Sequence, residues 1–242
     1  MALNLENLFA NTKLGGTSPA RRAATRSDPK GFVRLKRDPL YTVVLIDESW
    51  SMENYADRVI EGHGIMIDTF RKSAITKQGA HFITLAKFAE KYEVLQEAER
   101  LSPVKGKDNI MLLSKGQKPD GNYCPYGMTA LYDCLYDAFG DILQVMKEME
   151  AQGVRPRLNI ALISDGEDTM SNRDPSDLRN IVRKLKTEEY LMRSVVLGLL
   201  DDKFTEAALE KIRSDIGFDE AISLSKSAKE IRRTFVIAST IK

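Results

Sequence analysis

Three short runs of branched apolar residues constrain this chain more than anything else in it: TVVLID at 42–47, RLNIALISD at 157–165 and SVVLGLL at 194–200. Each is short, rich in β-branched residues and almost free of polar alternation, which is the pattern of a strand covered on both faces. Segments of helical spacing separate them. Tyr55, Val59, Met66, Phe70 and Ala74 lie near one face of the first, and Leu131, Leu135, Ala138, Ile142, Met146 and Met149 on one face of the second. Leu178, Ile181, Val182 and Leu185 supply a third, opened by Asp174 as N-cap with Pro175 at the first helical position. Gly62 and Gly64 weaken the first helix relative to alanine, and close approach to a sheet would explain them.

HFITLAKFAE and YEVLQEAE are joined by too little chain for a parallel return, so they form an antiparallel pair. Residues 100–128 make a long connection rich in Gly and Pro, and such connections often carry function. FTEAALEKI reads as a helix, FDEAISL as a short edge strand, and Ser227 with Glu230 as the capping box of a last helix. Strands alternating with helices predict an α/β fold, doubly wound and Rossmann-like. Its mostly parallel six-stranded sheet has one antiparallel edge strand and helices on both faces.

Composition narrows the function classes. A net charge of +1 does not mark a nucleic-acid binder, and no apolar run is long enough to span a bilayer. Cys124 and Cys134 make no disulfide framework and read as ordinary reduced thiols. The start, MALNLENLFANTKLGG, lacks a basic region followed by an apolar core, so a cytoplasmic location is expected. Residues 1–39 are basic and rich in Gly, Pro and Ser. They are expected to form a flexible arm ahead of one domain at 40–242, and any nucleic-acid contact is expected only through that arm.

The first buried run continues as VVLIDESWSMEN, where Asp47 is followed by Ser49 and Ser51. A nucleophile, a phosphate cradle, a metal cup or a plain turn could each end a strand this way. In an open α/β sheet, ligands bind beyond the carboxyl ends of the strands where strand order reverses. For the order 3-2-1-4-5-6, that crevice lies between the strand ending in Asp47 and the strand ending in Asp165. Two carboxylates there repel unless a proton or cation sits between them. Ser49 and Ser51 alternate on the side of Asp47, and Thr129 brings a third hydroxyl where a helix begins. Ligands that are all oxygen select a hard cation such as Mg²⁺.

Asp47-x-Ser49-x-Ser51, Thr129, and Asp165 within LISDGED together resemble the metal-ion-dependent adhesion site of von Willebrand factor A domains, over about residues 40–242. The resemblance implies that Ser49, Ser51 and Thr129 are direct or switchable ligands of a divalent ion, Mg²⁺ or else Mn²⁺ or Ca²⁺, and that Asp47 and Asp165 act mostly through bound water. It implies a non-catalytic protein-interaction module, its sixth coordination position left for an Asp or Glu of a partner. Trp50, Glu48, Met128 and Glu167 are candidate partner contacts. Trp50 could equally pack on the sheet's rim, and Glu48, Glu167 and Asp168 read more simply as a solvated acidic rim. Intracellular proteins of similar appearance work beside MoxR-type AAA+ ATPases. Others accompany the kinase and phosphatase proteins of tellurite-resistance-type stress or defence systems.

Two rival readings remain. Haloacid-dehalogenase-type phosphohydrolases resemble this first strand but carry a second aspartate as general acid, where this chain has Ser49. A scaffold with a non-functional site is the other. A serine hydrolase lacks its Gly-x-Ser-x-Gly elbow here, and a nucleotide site lacks both its glycine fingerprint and a Walker loop. His63 and His81 are too isolated to form a ligand set.

Overall fold

A computed structural model of the chain describes residues 38–78, 80–116, 121–166, 168–200 and 204–224. The expected arm falls almost wholly outside them, as do the helix expected from Ser227 with its Glu230 cap, and Glu167.

The first branched run forms β1 (Leu40–Asp47). A 3-10 turn, Trp50–Tyr55, leads into α1 (Ala56–Lys72) and the short α2 (Ala74–Lys77). The hairpin is β2 (His81–Phe88) and β3 (Tyr92–Arg100). Then follow α3 (Leu131–Ala151), β4 (Arg157–Ser164), α4 (Ser176–Thr187), β5 (Leu191–Leu199), α5 (Glu206–Ile216) and β6 (Glu220–Leu224). The sheet order is β3-β2-β1-β4-β5-β6, with only the β2–β3 pairing antiparallel. The predicted fold class and strand order are therefore present, with β3 and β6 at the edges.

Strand pleating divides the core between two layers. Val43, Leu45, Leu158, Ile160 and Leu162 pack with the apolar faces of α3, α4 and α5. Their neighbours Val44, Ile46, Ala161 and Ile163 point the other way, against Val59, Met66, Ile67 and Phe70 of α1. Both faces of the central strands are thus covered, which is why their sequences show no polar alternation.

Two local expectations are corrected. Gly62 is buried, but a Cβ on Gly64 would meet nothing within 4 Å, so close approach does not explain Gly64. The N-cap of α4 is Pro175 rather than Asp174, although Asp174 Oδ1 still accepts from the Ser176 N–H at 2.7 Å.

The described parts of the long connection after β3 are tied to the rest of the fold. Arg71 of α1 pairs with Asp108 and donates to the Ser102 carbonyl at 2.9 Å. Gln96 of the edge strand accepts from Met111 N–H at 2.8 Å and donates to the Asn109 carbonyl at 2.5 Å. A Cβ on Gly121 would lie 2.2 Å from the Lys115 carbonyl oxygen, so only glycine permits this close crossing. The crossing delivers the buried Tyr123, whose hydroxyl donates to the Asp47 carbonyl at 2.7 Å.

Candidate metal centre

Asp47 closes β1 and Ser164 closes β4, and the register that pairs Ile46 with Ile163 brings the two side by side. Strand alternation puts them on the same face, that of Val43, Leu45, Ile160 and Leu162. Ser164 Oγ donates to Asp47 Oδ2 at 2.6 Å, and the Ser49 N–H donates to Oδ1 at 2.8 Å. Asp47 is fully buried; desolvation pushes its carboxyl above the ordinary range, against the pull of these donors and of the Ser49 side chain.

From Asp47 a run of oxygens continues outward. Ser49 Oγ lies 3.1 Å from Ser51 Oγ, and Ser51 Oγ donates to Asp165 Oδ1 at 2.7 Å. Ser49 and Asp165 are buried while Ser51 is exposed, so the run opens to solvent at Ser51. Gly166 locates the third hydroxyl: a Cβ there would stand 3.5 Å from Ser51 Oγ and 3.8 Å from Thr129 Oγ1. The structure thus brings Asp47, Ser49, Ser51, Thr129 and Asp165 together at the carboxyl ends of β1 and β4, on three separate loops. Among the described residues no group of three or more His, Cys, Asp or Glu side chains is arranged to hold a metal, so a cation site here depends on hydroxyls.

Backbone bonds hold these loops to one another. Trp50 N–H donates to the Gly127 carbonyl at 3.0 Å, and Tyr126 N–H to the Glu48 carbonyl at 2.8 Å. The Thr129 carbonyl accepts from the N–H groups of Thr169 at 2.9 Å and Met170 at 3.2 Å, while Thr129 N–H donates to Thr169 Oγ1 at 3.1 Å. Asp168 accepts from the Ser171 hydroxyl at 2.5 Å and so braces the third loop.

The neighbouring candidates separate clearly. Trp50 stands exposed with its indole N–H bonded to Glu53 Oε2 at 3.0 Å, and Met128 is exposed as well. Glu48 is not on the rim. It is buried, salt-bridged to Lys87 Nζ at 2.8 Å, and accepts from the Cys124 N–H at 2.6 Å. Asp47 faces the site, whereas the next residue along the chain turns to the other side, where Lys87 of β2 neutralises it. Neither exposed partner contact nor solvated rim describes it.

Ser164, Lys87 and Tyr123 are the residues that sequence reasoning missed. Period-two alternation marks Ser164 as sharing a face with Asp47 once the register is known; no local signal marks the other two. Cys134 is buried, which pushes its thiol up to about 12, and Cys124 and Cys134 are both free. His63 and His81 are buried away from this centre's hydrogen-bond network.

No family model matches the chain, and a search of curated proteins finds no relative. Solved structures superpose on it at low identity. The PilB minor pilin from Streptococcus sanguinis does so with a TM-score of 0.54 at 14% identity, over 86% of this chain and 64% of that one. The pilus adhesin SpaC from Lactobacillus rhamnosus GG gives 0.51 at 14% identity, over 86% and 30%. The ArnB paralog VWA2 from Sulfolobus acidocaldarius gives 0.48 at 19% identity, over 82% and 44%. The chain spans less than two thirds of each of these proteins, and the two higher scores show likeness of fold.

Proposed function

We propose that this chain is a non-catalytic protein-interaction module that binds an acidic side chain of a partner through a divalent cation, Mg²⁺ by preference and Mn²⁺ or Ca²⁺ as alternatives. The observation that carries the reading is the bridge made by Ser51 Oγ, 3.1 Å from Ser49 Oγ and 2.7 Å from Asp165 Oδ1, across 114 residues of sequence.

The donor set fits such an ion. Every candidate ligand is oxygen. The spacing of Ser49 Oγ and Ser51 Oγ matches the separation of about 3.0 Å between adjacent ligands of an octahedral ion with bonds of about 2.1 Å. Ser49, Ser51 and Thr129 would hold the ion directly, and Asp47 and Asp165 would act on it mostly through bound water. Bound there, the ion supplies an electrophilic point for an incoming carboxylate, which neutral hydroxyls leave only partly neutralised. Ser164 and the Ser49 N–H keep the Asp47 carboxylate aimed and offset part of the desolvation that raises it. Tyr123 and the rungs at Trp50 and Tyr126 join the first two loops, and the Thr169 and Met170 N–H groups on the Thr129 carbonyl add the third, before any partner arrives.

A phosphohydrolase is disfavoured by Ser49, whose hydroxyl cannot serve as a general acid at neutral pH. By resemblance, the module serves as an accessory subunit in a cytoplasmic stress-response or defence complex, beside an AAA+ ATPase or a kinase or phosphatase. Among the described residues no helix is long and apolar enough to cross a membrane.

Calorimetric titration of the full chain with MgCl₂ and MnCl₂ tests the reading, paired with capture from source-cell lysate in Mg²⁺ and elution by chelator. Metal uptake that disappears in Asp165→Ala, with a protein released by chelator, is the expected result. No uptake, or capture indifferent to chelator, overturns it.

A further inference from the structure

Seven large apolar side chains stand exposed among the described residues. Four of them sit on the loops that carry the oxygens: Trp50 at 70%, Tyr126 at 55%, Met128 at 52% and Met170 at 41%. The others lie on the 101–116 connection and at the start of β5. Scattered single apolar residues need no explanation, but a set carried on the loops of one polar centre does. Aromatic residues and methionine are also the types enriched in the cores of protein interfaces.

These side chains are presented from fixed backbone. Trp50 is held by the Gly127 carbonyl at 3.0 Å and by Glu53 through its indole at 3.0 Å. Tyr126 is held by the Glu48 carbonyl at 2.8 Å, and Met170 by the Thr129 carbonyl at 3.2 Å. Little ordering remains to be done when a partner docks.

Charge narrows the partner further. Residues 48–54, 121–133 and 165–172 contain no Lys or Arg, and Arg173, the next residue of the third loop, is turned to Asp137 at 3.5 Å and to the Tyr136 ring. Apart from a bound cation, then, these loops offer an acid no cation that is not already paired, and Glu53 and Asp168 repel any beyond the first. An acidic tail or a nucleic acid is the wrong complement. A single carboxylate set among apolar residues is the right one.

We propose that the partner is a protein segment carrying one acidic residue flanked on both sides by bulky apolar side chains, which Trp50, Tyr126, Met128 and Met170 receive. The proposal rests on the metal-dependent reading above, which supplies the contact for the acid.

Trp50 is the only tryptophan of the chain, so its emission reports the site directly. Three sets of short peptides are titrated into the full chain, in MgCl₂ and again in chelator. One set has a Glu between Leu or Phe residues, one a Glu between Ser residues, and one a Glu among further Glu residues. The expected result is a blue shift with binding about tenfold tighter for the apolar set than for either other. That preference is lost in chelator, and also in Tyr126→Ser/Met170→Ser, whose Mg²⁺ uptake by calorimetry is retained. Equal or weaker binding of the apolar set, or no binding by any set, overturns the proposal. An apolar preference that ignores chelator upholds the apolar docking site and overturns the metal reading instead. Self-association in sedimentation, abolished by the same variant, overturns the proposal in favour of a second copy of the chain.

Discussion

The Ser164 hydroxyl donates a 2.6 Å hydrogen bond to Asp47 Oδ2, joining the last residues of two neighbouring parallel strands that lie 117 positions apart in the chain. Asp47 is fully buried, so each of its oxygens needs a donor. Ser164→Ala leaves Oδ2 without this one. The expected cost is about 1–3 kcal/mol, read from urea denaturation at neutral pH. Divalent-ion uptake is expected to shift to higher pH, because losing a donor raises a carboxyl that burial has already raised.

Asp47→Asn separates charge from shape. The amide oxygen can still accept from the Ser49 N–H, and the amide nitrogen can donate to Ser164 Oγ. Removing a buried charge also removes its desolvation cost. The metal-free variant is expected to melt no lower than wild type while losing the Mg²⁺-dependent rise in Tm that mass action gives the parent. Differential scanning calorimetry with and without MgCl₂ measures both.

The Glu48–Lys87 pair is expected to show strong coupling. Both side chains are largely buried, and Glu48 is further tied to Cys124 N–H. Lys87→Met leaves Glu48 uncompensated and should cost about 3–5 kcal/mol. Lys87→Met/Glu48→Gln should recover much of that loss. A double-mutant cycle by chemical denaturation gives the coupling, and additive single effects would contradict the assignment.

His63 and His81 make the fold acid-sensitive. Burial holds His63 down to about 4 and His81 down to about 3, against the ordinary 6.5. Because the unfolded chain takes up these protons first, their contribution is complete above about pH 6.5. It falls by about 1.4 kcal/mol per group per pH unit below that, until the folded values are reached. Burial raises the carboxyls of Asp47 and Glu48, which act with the opposite sign over a window beginning near their lower ordinary values. A variant comparison isolates the imidazole. His63 Nε2 has no hydrogen-bond partner among the described residues, and Nδ1 accepts only a long 3.5 Å bond from the Leu113 N–H, so His63→Leu should cost about 1 kcal/mol at pH 7. It should also flatten stability against pH by one proton's slope between 6.5 and about 4.

Gly64 lies within α1 with open space where its Cβ would be. Gly64→Ala is expected to stabilise the protein by about 0.5–1 kcal/mol, chiefly by restricting the unfolded chain. Thermal unfolding checks it, and a loss of stability would mean that the glycine has a role in contact with something else.

Much of this protein is legible in its residues alone. Branched runs with no polar alternation specify strands covered on both faces, and the short link between HFITLAKF and YEVLQEAE forces an antiparallel pair. Asp47, Ser49 and Ser51 declare themselves because their spacing is local, and Thr129 and Asp165 because each sits where an element begins or ends. Tertiary structure alone decided the rest. Ser164 meets Asp47 through the register of β1 against β4, and register is set by how whole strands bury their apolar faces rather than by either residue's neighbours. Glu48 turned inward and Trp50 outward although they are two positions apart, because Lys87 waits on the adjacent strand for one and only Glu53 for the other. Local pattern determines which elements form; burial and pairing, summed over residues far apart in sequence, determine which side chains face one another.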